Sequence, residues 1–148
     1  MRPFDTTSEL RLQKCDARLA GVLRKAQAET PYPFRIVQSN RTVEQQRAYF
    51  KAGRSKVNPD AYNNIAELYK KAKHITGPGM PFSRAVDVAL VGPKPYDLEK
   101  IRHLAGTIRT LAQAVGLHIR WGGDFDQDGK PYEPGTFVDA PHFELWEP

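Results

Sequence analysis

Apolar residues recur at helical spacing near the N-terminus. Leu12, Cys15, Leu19, Val22, Leu23 and Ala26 share one face while arginines and lysines fill the others, which predicts an amphipathic helix over about residues 8–28. Pro31 and Pro33 end it, and the β-forming run Phe34–Gln38 reads as a short strand. Thr42 followed by Gln45 is a capping-box pair and starts a helix to about Phe50, with Gly53 as its stop. A further helix is expected from about Pro59 to Lys71, with Ile65 and Leu68 turned inward. The stretch His74 to Ser83 holds Gly77, Pro78, Gly79 and Pro81 and must be a loop, and Arg84 to Val91 follows as a buried strand carrying one carboxylate, Asp87. The strongest helical pattern is Asp97 to Val115, where Leu98, Ile101, Ala105, Ile108, Leu111, Ala112 and Val115 line one face before Gly116. A strand near Leu117 to Trp121, a Gly/Asp/Pro-rich loop to Thr136 and a strand from Pro141 to Trp146 complete the chain. This irregular order predicts an α+β fold: a small, mostly antiparallel sheet flanked by helices.

Composition narrows the class. At 148 residues the chain is expected to form one domain, residues 1–148, large enough to bury a core without cross-links. Its 40% hydrophobic and 26% charged residues exclude a disordered chain. Cys15 is the single cysteine, so neither an internal disulfide nor a Cys-rich zinc site can form. The N-terminus lacks the apolar stretch of a secretory signal, and no window approaches the ~18 apolar residues needed to cross a membrane. The net charge of +5 and pI of about 9.4 fit either solubility or attraction to a polyanion. The basic residues (Arg11, Lys14, Arg18, Arg24, Lys25, Lys70, Lys71, Lys73) are scattered and not interleaved with aromatics, so nucleic acid is not an expected partner.

The candidate chemistry lies in a few polar residues. An ionised Asp87 in an apolar strand is costly unless it is paired, to Arg84 or Arg41, or bound to metal. His74 opens a Gly/Pro loop and alone reads as solvent-facing; His142, between Pro141 and Phe143, alone reads as a packed, hydrogen-bonded histidine. Together, two of the four histidines and one carboxylate have the make-up of a catalytic zinc site with an open fourth position. Asp139, three residues before His142, is then a candidate to take a proton from water. His103 falls off the apolar face of its helix and His118 begins a strand; both are left outside the site. Glu144 is expected to alternate away from His142 and to make a structural pair instead of serving as base.

Longer motifs connect these residues. Lys73-His74-Ile-Thr-Gly77, Ser83-Arg-Ala-Val-Asp87-Val, Trp121-Gly-Gly-Asp124 and Asp139-Ala-Pro-His142-Phe-Glu-Leu145 resemble the LAS-type zinc peptidases of the M15 family, nearest to phage endolysins that act as L-alanyl-D-glutamate peptidases. The segment Ile36-Val-Gln-Ser-Asn-Arg41-Thr-Val-Glu-Gln45 also resembles that family's Arg-Thr/Ser-x-x-Gln stretch, so matching segments run from about residue 32 to the C-terminus. The resemblance implies a LAS/D-Ala-D-Ala peptidase-like (hedgehog-like) fold and a zinc ion on His74, Asp87 and His142. It makes Asp139 the general base and later the acid that protonates the leaving amine, and Arg41 the cation that positions the substrate. Neither Cys15 nor Ser83 then needs a nucleophilic role.

The implied activity is hydrolysis of the L-alanyl-D-glutamate bond in the peptidoglycan stem peptide, by a monomer without a separate wall-binding domain. Such a protein would stay in the host bacterial cytoplasm until a holin released it to the wall. Two other readings stay open: a D-alanyl-D-alanine carboxypeptidase or dipeptidase of the same family, and a non-catalytic, basic, zinc-stabilised binding module.

The chain departs from the family pattern in two places. The family motif S-x-H-x(6)-D puts six residues between its ligands, whereas His74 and Asp87 are thirteen positions apart with twelve residues between them, which implies an insert of six within Pro78 to Ser83 that can bulge outward. Ala72 stands at the family's serine, and Ser83 is the residue that could compensate. Separately, Asp124-Phe-Asp126-Gln-Asp128-Gly129 has the first half of a calcium-loop pattern, although Gly135 replaces the glutamate an EF-hand would need. A solvated acidic turn or a calcium ion on Asp124, Asp126 and Asp128 would each account for it.

Overall fold

The apolar face expected over residues 8–28 exists, but the helix that carries it is broken. The computed structural model, which describes residues 2–134 and 138–147, has α1 at Thr6–Leu12 and α2 at Ala17–Glu29. Asp16 caps α2, its carboxylate accepting from the Arg18 amide. Between the helices, residues 14–16 pair with Ser83: Ser83 N–H donates to Lys14 O (2.8 Å), and Asp16 N–H donates to Ser83 O (2.7 Å). Periodicity cannot see that long-range pairing, and it explains why the continuous helix fails. Leu12, Cys15, Leu19, Val22, Leu23 and Ala26 are nevertheless all buried.

The other elements are β1 (Phe34–Gln38), α3 (Val43–Lys51), a 3-10 turn (Pro59–Ala61), α4 (Ile65–Lys71), β2 (Ala85–Leu90), α5 (Leu98–Ala114), β3 (Ile119–Trp121) and β4 (His142–Leu145). The helix expected from Pro59 is thus two pieces, because Asn64 caps a new start with its side chain. Ile65 is exposed, whereas Leu68 is buried as expected. On α5 the ends of the expected face, Leu98 and Val115, are exposed, and Leu104 joins the core instead. Gly135 and Thr136, where the loop after β3 was expected to end, lie outside the described residues, and β4 begins at His142.

The strands form one antiparallel sheet in the order β1-β2-β4-β3. Strand alternation sorts the side chains between two faces. Phe34 and Ile36 of β1, Val86, Val88 and Leu90 of β2, and Phe143 and Leu145 of β4 meet α2 and α5 in the main core. The opposite face of β2 and β4 carries Asp87, His142 and Glu144. At the edge strand β1, Ile36 N–H donates to Ser8 Oγ (2.9 Å) and Arg11 donates to Ile36 O (2.9 Å), so α1 covers polar groups that would otherwise invite another strand.

A second, smaller cluster joins Leu68, Tyr69 and Ile75 with Val43, Val57, Tyr62 and Met80. The inserted segment does not bulge outward freely. Gly77 and Met80 exchange two backbone hydrogen bonds of 2.9 Å around Pro78-Gly79, with Gly79 at φ 76°, and Tyr69 Oη donates to Pro78 O (2.9 Å). The insert is folded down onto α4.

Candidate metal centre and active site

Register places two of the candidate ligands. Asp87 on β2 lies directly opposite His142 on β4, so their side chains leave the same face as nearest cross-strand neighbours. The third arrives on a loop that runs beside residues 39–41, where Arg41 N–H donates to His74 O (2.8 Å) and Thr76 N–H donates to Arg41 O (2.9 Å).

The three side chains converge. Asp87 Oδ1 is 3.3 Å from His74 Nε2 and 3.2 Å from His142 Nδ1, and all three ligand atoms lie within 4.8 Å of one another. Zinc ligands at about 2.0–2.1 Å on a tetrahedron are about 3.3 Å apart, so this spacing fits that ion. Each imidazole has its other nitrogen engaged. His74 Nδ1–H donates to Ser39 O (2.6 Å), and His142 Nε2–H donates to Glu144 Oε1 (2.7 Å). These bonds leave His74 Nε2 and His142 Nδ1, both facing Asp87, as the nitrogens a metal ion could take. Outer partners of this kind fix tautomer and ring orientation at metal sites.

Glu144 is therefore not turned away from His142. Residues two apart on a strand share a face, and that period-2 rule was the signal available in the sequence. Glu144 does make the structural pair expected of it: Arg120 pairs with it at 2.9 Å, while Arg120 packs over the rings of Phe125 and Trp146.

The electrostatics of this face are strongly perturbed. Burial pushes the Asp87 carboxyl up, but hydrogen bonds from His142 and His74 more than offset it and leave Asp87 well below the usual carboxylate range. Burial pulls His142 down, yet its bonds to Asp87 and Glu144 raise it to about 9. Asp139 is half-buried; burial and then the Asp87 charge push its carboxyl up, against the pull of His142, His74 and Arg41. A carboxyl raised in this way is better matched to proton transfer near neutral pH.

Asp139 is held by its backbone. Its N–H donates to Gly122 O (2.8 Å), its carbonyl accepts from His142 N–H (2.9 Å), and Trp121 Nε1–H donates to Ala140 O (2.7 Å). A Cβ on Gly122 would lie 2.0 Å from Asp139 O, so only glycine allows this approach.

Arg41 reaches the same face. Its guanidinium donates to Gln46 Oε1 (2.7 Å) and to Gln38 Oε1, and stacks 4.6 Å over the Tyr49 ring. A bulge in β1 sets Gln38, in place of Val37, opposite Asp87. These hydrogen-bond acceptors are neutral amides, so the cation is positioned without a carboxylate bonded to it. Burial lowers its pKa, while the charges of Asp87 and Asp139 raise it. Gln38, Gln46, Ser39 and Glu144 are the members of this site that sequence reading missed. His103 and His118 are exposed and take no part.

With this geometry in view, comparison with known proteins decides the class. The family model described as phage L-alanyl-D-glutamate peptidase matches residues 2–146. The chain belongs to that family. It is thus a peptidase of the M15, LAS type, as its motifs suggested. The L-alanyl-D-glutamate peptidase of Escherichia phage T5 is 28% identical over 145 residues, covering 96% of both chains. The solved structure of the Serratia marcescens L-Ala D-Glu endopeptidase ChiX superposes with a TM-score of 0.68 at 24% identity, over 99% of this chain and 90% of that one, and so shares the fold.

A second group of carboxylates lies after β3. Asp124, Asp126 and Asp128 each bring an oxygen within 4.8 Å of the others. Asp124 is buried; Gly129 N–H donates to its Oδ2 (3.0 Å), and its buried Oδ1 has no hydrogen-bond partner among the described residues. Burial, followed by hydrogen bonding with Asp126, pushes Asp124 up.

Proposed function

We propose that the protein hydrolyses the L-alanyl-D-glutamate bond of peptidoglycan stem peptides, using zinc held by His74, Asp87 and His142. The observation that carries this reading is the convergence of His74 Nε2, Asp87 Oδ1 and His142 Nδ1, each imidazole being oriented by a separate outer acceptor. Bound zinc supplies Lewis-acid polarisation of the scissile carbonyl and makes water more acidic. Asp139 accepts the proton from the attacking water and returns it to the departing D-glutamate amine, a double duty suited to its raised pKa. Arg41, fixed by Gln38, Gln46 and Tyr49, supplies positive charge to a substrate carboxylate or to the carbonyl oxygen as charge develops there.

The test is digestion of purified peptidoglycan with identification of the new termini. L-alanine carboxyl and D-glutamate amine are expected; released D-alanine would replace this bond with the D-alanyl-D-alanine one. Asp139→Ala should abolish cleavage while zinc stays bound, and undiminished cleavage would remove Asp139 from the mechanism. Expressed alone inside Gram-negative cells, the protein should leave them intact until the inner membrane is permeabilised, as release through a holin requires.

We also infer that calcium binds at Asp124, Asp126 and Asp128, where three converging carboxylates, with Asp124 Oδ1 buried and without a partner among the described residues, support a cation over a merely solvated turn. Calorimetric titration of the metal-free protein with calcium should show a site that Asp124→Asn removes. No heat beyond dilution would reject it.

A further inference from the structure

The geometry points to Ser83 as a positioning residue for the zinc ligand His74, acting through the carbonyl of Ser39. This inference rests on the zinc reading above. Ser83 ends the inserted segment and is fully buried. Its Oγ lies 3.0 Å from Ser39 O and 2.7 Å from Ala85 O, and Ser39 O is the same oxygen that accepts from His74 Nδ1–H at 2.6 Å. When the Ser83 proton is turned to Ser39 O, that one carbonyl has two donors and both of its lone pairs are used.

The consequence is directional. Donors on both sides hold the Ser39 oxygen in place, and that oxygen in turn sets the plane of the His74 ring and keeps the proton on Nδ1. Ser83 is itself immobilised, because its backbone N–H and C=O are both bonded to residues 14–16 in the break between α1 and α2. A path of four short hydrogen bonds thus runs from the N-terminal helices, through the end of the insert, to the metal ligand. Position 72, two residues before His74, is alanine and offers no hydroxyl. The insert delivers one from the other side of the loop.

The same hydroxyl also lies near Ala85 O, so a purely local role in starting β2 is the competing account. A hydroxyl has a single proton, and the two roles differ in what they predict for the metal. Losing an outer partner of a metal-bound histidine typically costs about 10–100-fold in affinity. A stabilising bond remote from the site costs none.

The experiment compares zinc affinity of wild type, Ser83→Ala, His74→Ala and Ser8→Ala by competition with a chromophoric chelator, alongside thermal melts of the metal-free forms. Ser8 is an equally buried serine whose Oγ accepts from Ile36 N–H (2.9 Å) away from the metal centre, so it controls for general loss of stability. Ser83→Ala is expected to weaken zinc about tenfold. Ser8→Ala should leave affinity within about twofold although both variants melt earlier. Unchanged affinity in Ser83→Ala, with His74→Ala losing zinc, would assign the hydroxyl to β2 alone and overturn the inference while sparing the zinc site. Wild type that binds no zinc, or His74→Ala that binds it normally, would overturn both.

Discussion

Stripping the metal should reverse the pH dependence of stability, and His142 gives the size of the effect. In the metal-free protein its pKa stands at about 9, against an ordinary value of 6.5, because the bonds to Asp87 and Glu144 outweigh burial. A group raised on folding stabilises fully below its unfolded pKa and loses that contribution as pH climbs through the folded one. The window is therefore pH 6.5 to 9. The gap corresponds to on the order of 3 kcal/mol, or a fall in Tm of roughly 6–12 °C for a chain of this size. The buried Cys15 thiol, pushed up to about 12 by burial, destabilises only above its unfolded value of 9.0 and leaves this window clear. Zinc bound at His142 Nδ1 must displace the proton there, so its affinity rises as pH approaches 9. Scanning calorimetry of chelator-treated and zinc-loaded samples from pH 6 to 9.5 should give slopes of opposite sign. His142→Ala should flatten the metal-free slope. A metal-free Tm that is flat or rising across the window would refute the assignment of that proton.

Two further outcomes follow from the supports around the ligands. Glu144→Ala removes the acceptor of His142 Nε2–H and the partner of Arg120, so zinc affinity should fall about 10–100-fold, with Glu144→Gln between the two because it keeps a neutral acceptor; chelator competition reads both, and wild-type affinity in Glu144→Ala would deny the role. Gly122→Ala places a methyl 2.0 Å from Asp139 O and 3.0 Å from His142 Cβ. The Asp139 backbone must shift, and with Asp139 as the proposed base kcat on a muropeptide should drop about 10–100-fold. An unchanged kcat would mean that the Asp139 segment relaxes without consequence.

What the sequence disclosed and what it withheld have different physical origins. The faces of α2 and α5, the Thr42 cap and the half-buried carboxylate of β2 all follow from local periodicity or local hydrogen bonding, which one segment is enough to reveal. The break at residues 13–16 depends on Ser83, some seventy positions away. Nothing near Lys14 announces it beyond Asp16, a good cap. The convergence of His74, Asp87 and His142, the proposed ligands, was legible because few residue types can occupy such positions, and motif resemblance joined them. Glu144 was misjudged although strand alternation places it beside His142. Gln38 was hidden by the bulge in β1, which no local pattern in Phe34–Gln38 foretells. Ser39 acts through its carbonyl, and a backbone oxygen leaves no trace in residue identity.

The insert before Asp87 tests how loop length and ligand geometry can be independent. The Asp87–His142 pair is fixed by strand register, which no change between residues 77 and 84 can alter while β2 pairs with β4. Only His74 depends on the loop, and its ring is oriented by Ser39, which lies outside it. Roughly doubling a loop costs about 0.6 kcal/mol of closure entropy, less than one of the hydrogen bonds that pin this one. The folded hairpin, with Tyr69 bonded to Pro78 and Met80 against the small cluster, recovers that cost by burying its own surface. Deleting the insert would not simply restore the shorter spacing, because its last residue is Ser83. A shortened loop would need a hydroxyl supplied again from position 72, so length and side chain at these two places have to change together.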